Sequence, residues 1–185
     1  ATVVNGGGGN NMFIYSSPNM GGAVVSAAYQ PAGAAISGSY SDYSLVITPE
    51  GVDGLTVGAA IADQTIKSAS SVDLEESTVF VTYAVGSFTV GVQSSEYDHD
   101  TATSDTESLA IGISYAVNDD MSISYNMHDL ETDLTTDVDQ ESTGISASFT
   151  TGGMTLAGSM NTVENIAGTS TRDSDAFEVN LSFAF

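Results

Sequence analysis

The sequence predicts an all-β fold, an antiparallel transmembrane β-barrel, in one domain that extends over residues 1–185. Stretches of roughly ten residues alternate apolar with polar side chains, which is the period of a membrane-spanning β-strand. Short turn-like connections alternate with longer polar ones. Charged residues fall outside the apolar stripes, as expected where a charge at bilayer depth costs about 2–4 kcal/mol. This pattern fits a sheet whose two faces and two ends meet different surroundings.

The composition excludes several classes of protein. Only Lys67 and Arg172 are basic against 24 Asp and Glu, so the formal net charge is −22. Such a chain repels nucleic-acid phosphates and anionic headgroups, and a basic partner or a divalent cation suits it better. It has no cysteine, which excludes a disulfide framework and a thiolate metal site.

The sequence indicates neither a membrane-spanning helix nor a signal peptide. No window approaches the roughly 20 apolar residues of a membrane-spanning helix. The first residues lack the basic-then-apolar pattern of a signal peptide, so we expect Ala1 to be a mature or internal start.

The C-terminal stretch shows the alternation most clearly. Successive side chains of a strand point to opposite sides, so Phe177, Val179 and Leu181 share one side while Glu178 and Asn180 share the other. We call these sides the apolar face and the polar face. The same reading gives about eleven strands. Their apolar faces carry Phe13 and Tyr15; Val25, Ala27 and Tyr29; Tyr43, Leu45 and Ile47; Leu55, Val57, Ala59 and Ile61; Val79, Val81 and Tyr83; Phe88, Val90 and Val92; Leu109, Ile111, Ile113 and Tyr115; Met121, Ile123, Tyr125 and Met127; Ile145, Ala147 and Phe149; Met154, Leu156, Gly158 and Met160; and Phe177, Val179, Leu181, Phe183 and Phe185.

The polar faces favour contact with water. They are built from Gly, Ser, Thr, Ala, Asn and Gln, which are too small and polar for a dry core. The candidate pore-lining residues are Thr89, Gln93, Ser114, Ser124, Asn126, His128, Ser146, Ser148, Glu178 and Asn180, with Glu178 the only carboxylate expected inside the wall. A soluble β-sandwich or solenoid has the same period and is the structural alternative.

Aromatic residues gather at the strand ends, as in the interfacial girdles of membrane barrels. Those near the short turns are Tyr15, Tyr83, Phe88, Tyr115, Phe149 and Phe185. The short connections are expected at 17–21, 48–51, 84–87, 117–120 and 150–153, and the long ones near 30–40, 62–76, 95–107, 129–141 and 162–175. In a membrane barrel the short turns are periplasmic and the long loops external.

The long connections are acidic. Alternate carboxylates at Asp98 and Asp100, or at Asp137 and Asp139, could supply some of the oxygen ligands of Ca²⁺. Neither stretch matches an EF-hand, and solvated acidic loops are the simpler interpretation. No cofactor is expected to be required.

Two stretches resemble the Gram-negative general porin family, in particular its alphaproteobacterial, Rhodobacter-type members. Residues 11–22 with 25–29 are similar to the strand–turn–strand after the constriction loop, and residues 180–185 to the terminal strand that ends in the assembly-signal Phe. The resemblance implies a sixteen-stranded barrel, with residues 1–10 as the exit of the constriction loop and further strands before Ala1. It also implies a homotrimer. Ile14 stands where the family often has Arg, which leaves the ion preference open.

The expected function is therefore a water-filled outer-membrane channel of a Gram-negative bacterium, for passive diffusion of small hydrophilic solutes and ions. An enzyme is not expected, because His99 and His128 have no nucleophile at a recognisable spacing. An outer-membrane lipase or protease is the enzymatic alternative. The other alternative is a secreted or surface acidic β-protein, such as a filament subunit or adhesin, which would not need detergent.

Overall fold

The predicted all-β architecture is confirmed. The computed structural model describes residues 11–32, 38–66, 72–100, 105–132 and 138–184. They form one 11-stranded sheet in which each strand lies beside its neighbours in sequence, from β1 to β11. The only helical element in these ranges is a 3-10 turn at Ile166–Gly168. Within the same ranges no helix has the length and apolarity needed to cross a membrane.

The strands follow the predicted order. Their bounds are β1 Phe13–Ser16, β2 Ala23–Gln30, β3 Tyr40–Ile47, β4 Leu55–Ile66, β5 Val72–Val85, β6 Phe88–His99, β7 Thr106–Ala116, β8 Met121–Thr132, β9 Gln140–Thr151, β10 Met154–Glu164 and β11 Ser174–Phe183.

The sheet divides into two compact units. The first unit contains Ala1–Val81 and Gln93–Glu107, and the second contains Thr82–Val92 and Ser108–Phe185. Strands β1 to β4 therefore belong to the first unit, and β8 to β11 belong to the second.

The register of the second unit keeps like faces together. Met160 of β10 pairs with Ile145 of β9 and Phe177 of β11, so these apolar side chains form one row. The next residue, Ser159, pairs with Ser146 and Glu178 on the polar face. Because side chains alternate with a period of two, a correct register in one row extends along the whole strand. The predicted assignment of residues to the two faces is confirmed here.

The short connections are confirmed, and two of them depend on glycine. β5 and β6 are joined by Gly86 and Ser87 alone, with Gly86 at φ 57°. β9 and β10 are joined by Gly152 and Gly153, both at positive φ. Two-residue hairpins need positive φ at one or both central positions, which glycine adopts without steric cost.

The long connections are shorter than predicted, because the strands extend into the acidic segments. Asp63 lies in β4, Glu75 and Glu76 lie in β5, and Glu96 and Asp98 lie in β6. Charged strand ends lack apolar alternation, so the sequence pattern does not distinguish them from loops. The strands therefore continue beyond the part with an apolar face.

The buried hydrophobic side chains lie on the polar face of the first unit. Tyr40 and Leu74 are each 4% exposed and Phe80 is 9% exposed. The ring of Phe80 covers Gly58, occupying the space where a Cβ would lie. In the first unit this face does not consist of small and polar residues alone, because large side chains at these three positions fill space beside small ones. Ala28, Ala60 and Ala62 and the polar Thr78 are also buried on this face.

Candidate pore wall

Hydroxyl groups pair across the polar face of β8 and β9. The Oγ atoms of Ser124 and Ser146 are 2.7 Å apart. Those of Ser122 and Ser148, one row closer to the short turns, are 2.8 Å apart. In each pair the second hydroxyl hydrogen and the unused lone pairs are left for water or a solute. Ser124, Ser146 and Ser148 were predicted for the wall, and Ser122 belongs to the same rows.

An amide pair lies over a glycine in the next row. Gly144 pairs with Asn126 of β8 and Asn161 of β10. A Cβ at Gly144 would lie 2.6 Å from Oδ1 of Asn161 and 2.8 Å from Oδ1 of Asn126. The two amide oxygens therefore converge on the space that the glycine leaves open. Asn161 was not among the predicted wall residues, although the alternation of β10 places it on the polar face.

The remaining predicted residues of the second unit occupy the same face. Glu178 is opposite Ser159 and Asn180 is opposite Ala157, and both predicted residues are exposed. His128 is opposite Ser142, towards the long connection. Thr89 of β6 is exposed and Ser114 of β7 is half-buried. Their role as pore-lining residues is still a prediction.

Gln93 belongs to a polar cluster of the first unit. Its Nε2 donates to Thr78 Oγ1 at 3.3 Å and to Ser95 Oγ at 3.2 Å. The two hydroxyl oxygens are themselves 2.8 Å apart. Thr78 is buried and Gln93 is half-buried, so this candidate is held by its neighbours.

Two carboxylates that were not among the predicted wall residues lie on the polar face of the first unit. Asp42 of β3 pairs with Ala28 and Ala62, both on the polar face. Glu76 lies two residues from the buried Thr78, on the same face of β5. Asp42 alternates with the predicted apolar stripe of Tyr43, Leu45 and Ile47. The sequence therefore already indicated that Asp42 lies on the polar face.

Tyr97 lies beside Glu76 at the charged end of β6. The face of β6 that is apolar up to Val92 is polar from Ser94 onward, with Glu96 and Asp98. Tyr97 therefore lies beyond the apolar part of the strand. Partial burial, and then the negative charge of Glu76, raise the pKa of the Tyr97 phenol. The phenol therefore stays neutral at physiological pH.

The apolar faces are exposed. Met160 is 59% exposed and Phe177 is 72% exposed, although both are large and apolar. A soluble sandwich would bury these faces against each other. Their exposure argues for contact with lipid.

The predicted girdle residues that the structure describes lie on or next to this surface. Phe88 and Tyr115 have ring centroids 4.6 Å apart. Both line a shallow apolar cavity of about 280 Å³ with Ile123, Tyr125 and Ile145. Tyr15, Tyr83 and Phe149 are exposed, and Phe185 lies outside the described residues.

The acidic residues do not form a metal site in the part of the chain that the structure describes. No three of its His, Asp or Glu side chains lie close enough to hold an ion. Asp100 accepts a hydrogen bond from the Asp73 amide at 3.4 Å, and the main-chain oxygen of Asp139 accepts one from Asn165. Asp98 lines a cavity of about 270 Å³ with Asp63, Glu75, Glu76 and Glu96. Asp137 lies outside the described residues.

The comparisons agree with the fold. A model of the Gram-negative porin family matches residues 1–138. The chain belongs to the Gram-negative porin family. An anion-selective porin from Comamonas acidovorans has a similar structure, with a TM-score of 0.78 and 16% identity, over 95% of this chain and 60% of that one. No curated protein matches the chain.

Two further solved structures are similar. The NanC porin has a TM-score of 0.56 and 10% identity over 94% of this chain and 92% of that one. A loop-deletion mutant of OmpT, an outer membrane protein of Vibrio cholerae, has a TM-score of 0.62 and 13% identity over 93% of this chain and 61% of that one. These two structures agree with the strand arrangement of the chain. As a member of the Gram-negative porin family, the chain is an outer-membrane protein. The sixteen-strand total and the Rhodobacter-type subgroup are still predictions.

Proposed function

We propose that this porin forms a water-filled channel through which small hydrophilic solutes and ions diffuse passively across the outer membrane. One observation carries the proposal. The strands of the second unit have an exposed apolar face suited to lipid, and their opposite face carries rows of hydroxyl and amide side chains, with Glu178 as the only carboxylate on this face of β8 to β11. Such rows exchange hydrogen bonds with water and do not hold one solute tightly.

The channel is tested by reconstitution. The protein is purified in detergent and added to planar lipid bilayers, where stepwise increases in conductance are expected. Heat-denatured protein is the control. A preparation that stays monodisperse without detergent and never conducts would favour the secreted filament or adhesin instead.

The solute class follows from the wall chemistry. The polar faces of the described strands carry no Lys or Arg, so the anion preference of the Comamonas porin is not proposed for this chain. Neutral hydrophilic solutes and cations fit these faces better. No catalytic activity is proposed, and hydrolysis of an ester or peptide substrate by the purified protein would contradict this.

Two further expectations belong to the same proposal. By family analogy the porin is a homotrimer, which a heat-labile band of about three times the monomer mass on a gel would reveal. Calcium binding at the acidic ends of the strands is a hypothesis. Isothermal titration that gives no heat with millimolar Ca²⁺ would reject it.

A further inference from the structure

Two carboxylates lie in one row of the polar face of the first unit. Asp42 pairs directly with Ala62 across β3 and β4. The ring of Phe80 in β5 lies over Gly58 of β4. An antiparallel register that places these two residues opposite each other also places Glu76 opposite Ala62. Residues 61–63 and 75–77 line one cavity, which agrees with this alignment. Asp42 and Glu76 therefore flank Ala62 on neighbouring strands.

The row is only partly shielded from solvent. Ala28 and Ala62 are 9% and 4% exposed, but Asp42 and Glu76 are half-buried. Ala62, whose side chain is a single methyl group, lies between the two carboxylates in this row. Each carboxylate is therefore partly open to water on the face proposed to line the pore.

No fixed positive charge from Lys or Arg accompanies the two carboxylates on the described strands. The chain has only two basic residues, Lys67 and Arg172. Lys67 follows the end of β4 and lies outside the described residues, and Arg172 precedes β11 in the other unit. The polar face of this row therefore has a net negative charge.

The spacing lets the two charges act on the same ions. Residues separated by two strand spacings are about 10 Å apart. The Debye length is also about 10 Å in 0.1 M salt. The potentials of the two carboxylates therefore overlap at or below this salt concentration, which raises the local cation concentration and lowers that of anions.

We propose that Asp42 and Glu76 make the pore prefer cations over anions. This inference rests on the channel function proposed above and assigns its selectivity to two named side chains. The cations concerned are small hydrated ions that pass through water, and they are not bound in a fixed coordination site.

The test is the reversal potential of the reconstituted porin in a KCl gradient. Asp42→Asn and Glu76→Gln each remove one charge with little change in shape. Each is expected to lower the permeability ratio of K⁺ to Cl⁻ by about two- to threefold in dilute salt, with a smaller effect in about 1 M salt. Asp42→Glu, which keeps the charge, is expected to keep the wild-type ratio.

Glu75→Gln is the matched control. Glu75 precedes Glu76 in sequence and carries the same charge, but it lies on the opposite face of β5 and is exposed. It is expected to shift the reversal potential less than Glu76→Gln does, because its carboxylate lies on the face opposite the proposed pore. Wild-type reversal potentials in both Asp42→Asn and Glu76→Gln, or an equal shift in Glu75→Gln, would overturn the inference while the channel function stands. A wild-type protein that never conducts would overturn the proposed function and this inference with it.

Discussion

Ser124 and Ser146 face each other across β8 and β9 with their hydroxyl oxygens 2.7 Å apart, at the same level of the sheet as Ser159 and Glu178. The contact joins two strands through side chains on the face that we assign to the pore. It stabilises the wall without adding charge or bulk.

The energy of this contact can be measured by a double-mutant cycle. Ser124→Ala and Ser146→Ala remove the two partners singly and together. We expect a coupling free energy of about 0.5–1 kcal/mol in urea-induced unfolding from lipid, because a hydrogen bond open to water contributes little net stability. Ser122 with Ser146 is the matched control, since these residues are not directly opposite, and their effects should add. Equal coupling in both cycles would contradict a specific contact.

Gly144→Ala is expected to narrow the passage more than it destabilises the fold. The added methyl would lie within 3 Å of Oδ1 of both Asn126 and Asn161. These are the ends of side chains that can rotate away from the wall, so we expect a loss of stability of no more than about 1 kcal/mol and a lower single-channel conductance. In an Asn126→Ala and Asn161→Ala background, Gly144→Ala should no longer change the conductance. A large loss of stability with unchanged conductance would refute this account.

Glu178→Gln is expected to reduce the cation preference of the channel. Its carboxylate lies opposite Ser159, with Val179 and Phe177 beside it in sequence on the lipid-suited face. It therefore lies within the apolar stretch of β11, farther from the strand end than Asp175. Asp175→Asn is the control, because Asp175 lies on the other face, where it accepts a hydrogen bond from Thr162 Oγ1 at 2.8 Å. Reversal potentials that do not distinguish Glu178→Gln from wild type would count against its place in the pore.

An added charge should destabilise the protein much more at one position of β11 than at the next. Val179 is 57% exposed on the apolar face, whereas Asn180 is on the polar face. Val179→Arg is expected to lower the free energy of unfolding from lipid by about 2–4 kcal/mol, the cost of Arg near the bilayer midplane. Asn180→Arg should cost far less and should shift the ion preference towards anions. If the two variants lose equal stability, the assignment of faces is wrong.

The sequence predicted the strands and faces well, because alternation with a period of two depends on backbone geometry alone. It predicted the ends of strands less well. Asp63, Glu75, Glu76, Glu96 and Asp98 were assigned to loops, because the strand ends that carry them lack apolar alternation. The strands nevertheless continue through these residues.

The buried cluster around Phe80 was the second omission. Alternation shows which side of the sheet a residue occupies, but it does not show what covers that side. Asp42 was missed for a simpler reason. It precedes Tyr43, the first residue of the predicted apolar stripe of β3, and so lay outside the stretch that the alternation defined.

The continuous pairing from β8 to β11 limits how this gene can change in length. Loss of a single codon in β9 between Ser142 and Ser148 would turn every later residue of that strand to the opposite side, exchanging Phe149 with its serine neighbour. Removal of two adjacent codons would keep the orientation and only shift the pairing along the sheet. Insertions and deletions among homologues should therefore concentrate between strands, and those within strands should come in even numbers.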